Sequence, residues 1–337
     1  MIVTVTANPS LDRTIELGSA LARGEVQRAV ASHEQPGGKG VNVSRALIAS
    51  GLDTVAVLPG DASDPMLVAL RAERIPIANV TIAGRVRSNV TVTEPDGTTT
   101  KLNEPGPTLG PADEAALIDV IVSQAKRAEW LVLAGSLPPG LSPDFYARVV
   151  TAVRAASDGT PPLIAVDSSG APMLALVESG VGVDLVKPNG EELAELVGGD
   201  ADAIEADPRL AASAARLLVE RGCRAVLATL GGNGAVLVTA DDAWHATMPP
   251  IVVRSTVGAG DSSLAGYLYA QQRGASPEGR LAQAVAHGAA AAALAGSTVP
   301  TPGQTRPHDA SVAPLTSPSS LTSRSTTTPT PSTDTKE

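Results

Sequence analysis

A single cysteine, Cys223, stands in 337 residues, so no internal disulfide can form and no cysteine cluster can hold a metal. Aromatic side chains are scarce as well, with two Trp, three Tyr and one Phe, which leaves the core to Val, Leu, Ile and Ala. No uninterrupted apolar run reaches membrane-spanning length. The alanine-rich "AQAVAHGAAAAALAG" contains His287 and suits a buried helix better. The opening "MIVTVTANPS" lacks a basic region ahead of a long apolar stretch, so it reads as a strand and not a signal peptide, and a cytoplasmic location is expected. There is no basic run and no interleaving of basic with aromatic residues, and the formal net charge is −10. That argues against a nucleic-acid groove. A small anionic ligand stays open, because a few local Lys and Arg side chains with backbone amides can bind phosphate inside an acidic protein.

Hydrophobic residues make up 43% and charged residues 18%, a soluble globular balance, and the length suits one large α/β domain or two smaller ones. Strand-like runs ("IVTVTA", "DTVAVLPG", "WLVLAGS", "PLIAVDSS", "VDLVKPN", "AVLATLG") alternate with helical ones ("GVNVSRALIASG", "PADEAALIDVIVSQAKRA", "PDFYARVVTAVRAAS", "NGEELAELVG", "DPRLAASAARLLVERG"). That order predicts an α/β fold with a mostly parallel sheet covered by helices on both faces. Ligands in such sheets bind beyond the carboxyl ends of the strands.

Two segments break the pattern. "RSNVTVTEPDGTTTKLNEP" alternates apolar and polar residues around Pro95-Asp96-Gly97 and reads as an antiparallel hairpin. Residues 13–30 hold short extended pieces and no clear helix. Together, 13–30 and 86–104 are expected to form a small lid beside the main sheet; an ordinary surface hairpin is the plainer alternative. From Ser311 to Glu337, 19 of 27 residues are Ser, Thr or Pro, too few apolar groups to offset the entropy of ordering. The folded unit is therefore expected over residues 1–306, with 307–337 a disordered tail.

Five short stretches carry candidate chemistry. In "STVGAGDS", Gly258, Ala259 and Gly260 open a helix whose free amides and dipole suit a phosphate. Asp261, on the first turn, is then placed to take a proton from an attacking hydroxyl, or simply caps the helix. "PGGKGVN" is a second glycine-rich helix start, with Gly38, Lys39 and Asn42. It lacks the GxxxxGK[ST] spacing of the nucleotide P-loop, and a flexible turn capped by Asn42 is its plainer reading. In "NPSLD", Asp12 follows the first strand, well placed for sugar hydroxyls or a mere turn residue. In "VKPNGEE", Asn189 and Glu192 either hold a hydrated Mg2+ or form a helix capping box. "TLGGNGA" puts Thr229, Gly231 and Gly234 after a strand, open to a nucleotide or making a plain turn.

In this order and combination the motifs resemble the ribokinase-like (pfkB) family of carbohydrate kinases, over about residues 1–300. "PGGKGVN" looks like the family's first signature and "STVGAGDS" like its second; "NPSLD", "GSLPPG", "KPNGEE" and "TLGGNGA" complete the set. Ala134 stands where many relatives have serine, and the Ser/Thr/Pro tail departs from the usual compact ending. The resemblance implies a ribokinase-like three-layer α/β/α sandwich with a small β lid used to form a homodimer. It implies ATP-dependent phosphorylation of a sugar phosphate, with Mg2+ accompanying ATP. Fructose 1-phosphate is the expected acceptor; tagatose 6-phosphate and fructose 6-phosphate are the alternatives, and a sugar-phosphate sensor is the non-enzyme alternative.

The roles it implies follow residue by residue. Asp261 is the general base, and the amides of Gly258, Ala259 and Gly260 stabilise the transferred phosphoryl group. Asp12, Gly38, Asn42 and Ser136 hold the sugar, while Lys39 and Arg87 meet its phosphate. Lys187, Asn189, Thr229, Gly231, Gly234 and Thr256, with Gly258 and Gly260, line the nucleotide site. Asn189 and Glu192 reach Mg2+ through water.

Overall fold

Short runs rich in valine, leucine and isoleucine form the main sheet, and proline or a small polar cap starts most of the helices that cover it. The computed structural model describes residues 1–315. In chain order its elements begin β1 (Ile2–Thr6), β2 (Ser10–Leu17), β3 (Ala29–Gly37), α1 (Lys39–Ala49), β4 (Thr54–Pro59), α2 (Pro65–Ala72), β5 (Ile77–Val80), β6 (Arg87–Thr93), β7 (Thr99–Asn103), α3 (Pro111–Ala125), β8 (Trp130–Ala134) and α4 (Phe145–Ala155). They continue β9 (Leu163–Asp167), α5 (Gly170–Ser179), β10 (Leu185–Val186), α6 (Gly190–Val197), α7 (Ala201–Ala206), α8 (Pro208–Glu220), β11 (Ala225–Thr229), β12 (Ala235–Thr239), β13 (Ala243–Thr247), α9 (Ala259–Gln272), α10 (Pro277–Ala292) and β14 (Ser311–Pro314).

Helices α2, α3, α8 and α10 open on proline, whose missing N–H costs nothing at a position with no intrahelical acceptor. Three of them gain a side-chain cap: Asp64 accepts from the Met66 amide, Asp207 from Arg209 and Ser276 from Gly279.

The main sheet runs β14-β13-β12-β11-β10-β9-β8-β1-β4-β5. Every pairing from β11 to β5 is parallel, and β12, β13 and β14 add antiparallel strands at one edge. The period-2 alternation of a strand separates two cores. Val3, Val5, Leu131 and Leu133 face the side covered by α3, α4, α5, α6 and α8. Ile2, Trp130, Val132 and Ala134 face the side covered by α1, α9 and α10. The result is the three-layer α/β/α sandwich that the alternating pattern leads one to expect.

A second sheet, in the order β3-β2-β6-β7, stands apart from the first. Its β6–β7 hairpin turns at Pro95-Asp96-Gly97, where Asp96 Oδ1 accepts from the Thr98 amide at 2.9 Å. The small sheet is wider than the sequence indicated. β2 starts at Ser10 and β3 runs on to Gly37, directly into α1. The lid and the glycine-rich start of α1 are thus one continuous piece of chain.

The boundary at residue 306 needs correction. β14 pairs with β13 from Ser311 to Pro314, and the Leu315 amide donates to Ala243 O at 2.7 Å. Val312 and Leu315 pack on the two cores. Alternating small residues at an open sheet edge sufficed to order a segment whose composition reads as tail. The rest of the expected tail, 316–337, lies outside the described residues. Ending the chain at Ala310 is expected to lower the melting temperature by about 2–4 °C relative to ending it at Leu315, as for a loss of ~1 kcal/mol. Equal calorimetric transitions for the two would show that β14 adds no stability.

Candidate active site

A cavity of about 810 Å³ opens beyond the carboxyl ends of β10 and β11, where an open α/β sheet puts its ligands. Lys187 and Asn189 follow β10, Thr229 ends β11, and Gly231, Gly234, Thr256, Gly258 and Gly260 complete much of the wall. The sequence assigned all of these to the nucleotide, and the fold brings them to one cavity. Gly234 is required for packing as well: a Cβ there would lie 1.9 Å from Ala246 O on β13.

Helix α9 points its N-terminus into this cavity, starting from Gly258 in a left-handed turn with φ 75°. The Ser262 amide bonds back to Gly258 O at 2.8 Å, and the Ala259 amide turns to Thr256 O at 3.3 Å. The amides of Gly258 and Gly260 make no such bond among the described residues, so two of the three expected donors are free for an anion and the Ala259 amide is not.

Asp261 is 7% exposed. Asn42, on α1, donates from Nδ2 to Asp261 Oδ2 at 2.8 Å and so ties the two glycine-rich helix starts together. Burial pushes the Asp261 carboxyl up to about 6; the neighbouring Asp167 charge adds to this, against the Asn42 bond, Lys187 and Lys39.

Sequence reasoning missed Asp167. It ends β9 and is fully buried, with Lys39 Nζ at 2.7 Å from Oδ1 and Lys187 Nζ at 3.0 Å from Oδ2. Burial opposes its ionisation, but the two ammonium groups outweigh burial and hold its carboxyl below the usual range. A carboxylate at the carboxyl end of a parallel strand was the available signal, the same one that singled out Asp12.

Lys39 is placed differently from expectation. Its Nζ also reaches Glu192 Oε1 at 3.2 Å, and it lines the large cavity. Burial alone would lower its pKa; Asp167 and Glu192 raise it well above the ordinary value. Arg87 lies elsewhere, on β6 of the lid, and with Ser136, Asn8 and Pro105 lines a second cavity of about 440 Å³. The two cations thus line different cavities. Burial lowers the Arg87 pKa, with the Asp12 charge opposing. Its Nη1 donates to Glu104 O at 3.2 Å, and its Nε is buried without a partner.

Asn8 anchors this second cavity from β1's end, its Nδ2 reaching Pro105 O at 3.0 Å and Ser136 Oγ at 3.5 Å. Asp12 lies on β2, and a Cβ on Gly37 would fall 2.1 Å from its Oδ2. Glycine at the end of β3 leaves room for the carboxylate in this position. Gly38 follows at the N-cap of α1 with φ 113°.

Asn189 and Glu192 form the capping box that was the plainer reading: Glu192 N donates to Asn189 Oδ1 at 2.7 Å and Asn189 N to Glu192 Oε2 at 2.9 Å. Among the described residues no three His, Cys, Asp or Glu side chains gather as a resident metal would require. Engaged in these bonds, the two side chains fit outer contacts to a hydrated Mg2+ carried in by a nucleotide, and not direct ligation.

Known proteins share this architecture. The family model of the pfkB family carbohydrate kinases matches residues 5–303. A 1-phosphofructokinase of Haloferax volcanii is 36% identical over 306 residues, spanning 89% of this chain and 93% of that protein. An ATP-dependent 6-phosphofructokinase isozyme 2 of Mycobacterium tuberculosis is 33% identical over 278 residues, 81% of this chain and 78% of that protein. Phosphofructokinase-2 from Escherichia coli, solved in complex with substrates and products, superposes with a TM-score of 0.81 at 30% identity, covering 90% of this chain and 96% of that one.

Proposed function

The chain belongs to the pfkB family of carbohydrate kinases, ATP-dependent sugar kinases, and from that premise we propose that its acceptor is fructose 1-phosphate and its product fructose 1,6-bisphosphate. The observation that carries the chemistry is Asp261: a buried carboxyl, pushed up to about 6, at the helix N-terminus that faces the large cavity. Above that pH it is ionised and accepts the proton of the sugar's free primary hydroxyl. Asn42 holds Oδ2, leaving Oδ1 for that proton. The hydroxyl oxygen bonds to the γ-phosphorus, the bond to the β-phosphate oxygen breaks, and ADP departs. The free amides of Gly258 and Gly260 meet the charge on the phosphoryl oxygens. Asn189 and Glu192 would hold, through water, a Mg2+ arriving with ATP, which would offset charge on the phosphates. A cytoplasmic location goes with that reading.

Arg87 and Ser136 take the phosphate already on the sugar; Lys39, held by Asp167 and Glu192, belongs to the nucleotide side. The test is ADP release across fructose 1-phosphate, fructose 6-phosphate, tagatose 6-phosphate, fructose and ribose. Fructose 1-phosphate should lead in kcat/KM by at least about tenfold. A lead for either 6-phosphate would overturn the substrate assignment, and no ADP release with any sugar would favour a sensor.

Arg87→Ala is expected to raise KM for the sugar phosphate about tenfold to a hundredfold, one charge-assisted hydrogen bond being worth roughly 1.5–3 kcal/mol. KM for ATP should stay within about twofold. Equal effects on both substrates, or none, would take Arg87 out of the phosphate site.

A homodimer through the lid belongs to the same proposal. Val26 is 99% exposed, Val30 on edge strand β3 66% and Leu102 on the opposite edge strand β7 60%, apolar side chains that water disfavours and a second copy would cover. Val30→Glu should shift sedimentation from dimer to monomer. A parent that is already monomeric, or a variant that dimerises as tightly, would remove the lid interface.

A further inference from the structure

We infer that Asn89 is a specificity-determining residue: its amide oxygen accepts a hydrogen bond from a ring hydroxyl of the acceptor sugar, while its amide nitrogen fixes Asp12. The inference rests on the sugar-phosphate reading above and goes beyond it. β2 and β6 pair in parallel register, Ser10 opposite Arg87 and Asp12 opposite Asn89. Strand alternation puts these four polar side chains on one face of the lid. Ser10 Oγ donates to Asp12 Oδ1 at 2.7 Å, and Asn89 Nδ2 donates to the same oxygen at 3.0 Å.

A carboxylate only accepts, so the contact fixes which end of the Asn89 amide faces Asp12. The other end, Oδ1, is an acceptor, and it is buried without a donor. Asn42 repeats the arrangement: its nitrogen faces Asp261 and its Oδ1 is likewise buried without a donor. A buried acceptor left unpaired costs stability, and a hydroxyl of the ligand would supply its donor. A phosphate ester dianion has no proton to donate to such an oxygen; a hydroxyl has. The lid face thereby sorts the ligand into two ends. Arg87, with a buried Nε that has no partner, takes the anionic end. Asp12 and Asn89 take the hydroxyl end. Asn89 serves both, for it orients Asp12 and offers its own oxygen.

The alternative is that Asn89 only braces Asp12, and substrate analogues separate the two. kcat/KM would be measured for the parent protein and Asn89→Ala on fructose 1-phosphate and on its 3-deoxy and 4-deoxy analogues. On the complete sugar the variant should lose about tenfold, with KM for ATP within about twofold. On one deoxy analogue the parent should already have lost that factor, and the variant should lose nothing more. A variant that loses the same factor on all three sugars, or on none, overturns the inference. Asn89→Leu, which keeps the volume of the amide, replaces the alanine variant if that one does not fold. If the parent protein prefers another sugar phosphate, the substrate assignment fails by itself, and deoxy analogues of the preferred sugar then test Asn89 independently.

Discussion

Asp261→Asn is expected to cut kcat by roughly a hundredfold to ten-thousandfold, the usual contribution of a general base, and to make the protein more stable. The amide keeps the shape but cannot take a proton. ATP should still bind, because the Gly258 and Gly260 amides are untouched and one negative charge beside the γ-phosphate is gone. If Asp261 merely capped α9, asparagine would be nearly as good a cap and turnover would hardly change. The stability gain comes from the same burial that tunes the base. The folded-state pKa of about 6 against an ordinary 3.8 means that keeping Asp261 ionised costs up to about 3 kcal/mol at neutral pH. A raised carboxyl stabilises the fold only while protonated. That contribution is fully present below about 3.8 and is lost as pH rises through about 6. Asparagine stays neutral throughout, so its advantage should be several degrees of melting temperature at pH 7.5, about half as large at pH 5 and absent near pH 3.5. The parent's kcat/KM should fall about tenfold per pH unit below about 6, and the variant's residual rate should lack that limb. Turnover within a few-fold of the parent, with ATP binding intact, would end the catalytic assignment.

What the sequence made legible was local. Gly258, Gly260, Asp261, Gly38 and Asn42 announce themselves because the backbone geometry of a glycine-rich helix start is written in adjacent residues. The fold does bring these two helix starts together, through the Asn42–Asp261 bond. The parallel sheet was legible for the same reason, since each strand is a short apolar run followed by a helical pattern. Long-range pairing was not. Nothing beside Asp167 in the chain tells of Lys39 and Lys187, which come from other strand ends 128 and 20 residues away. The separation of Lys39 from Arg87 depends on the lid standing apart from the main sheet. The β12–β13 hairpin turns at Ala240-Asp241 without a glycine, so it lacks the usual turn signal. β14 is ordered by the edge it completes and by the packing of Val312 and Leu315 on the cores.

Asp167→Asn should be the most destabilising of these substitutions, by about 3–5 kcal/mol in urea unfolding at pH 7, the range for removing one partner of a buried ion pair. Lys187 is 3% exposed and its ammonium lies 3.0 Å from Asp167; without the carboxylate it is left buried without its ion-pair partner. Lys39 loses its shorter contact and keeps Glu192. The sign with pH is opposite to that for Asp261. A carboxyl whose folded pKa is depressed contributes stability above its unfolded value, near 3.8, and that contribution is lost as pH falls further. The gap between parent and variant should therefore be full at pH 6–8 and should close below about pH 4. A second reading separates charge from packing. The Asp167 charge helps raise Asp261, so removing it should move the acid limb of the rate profile to lower pH in whatever activity remains. A merely packing role for Asp167 would leave that limb where it is. A loss under about 1 kcal/mol together with an unmoved limb would mean that the two lysines are neutralised elsewhere, and that the base is tuned by burial alone.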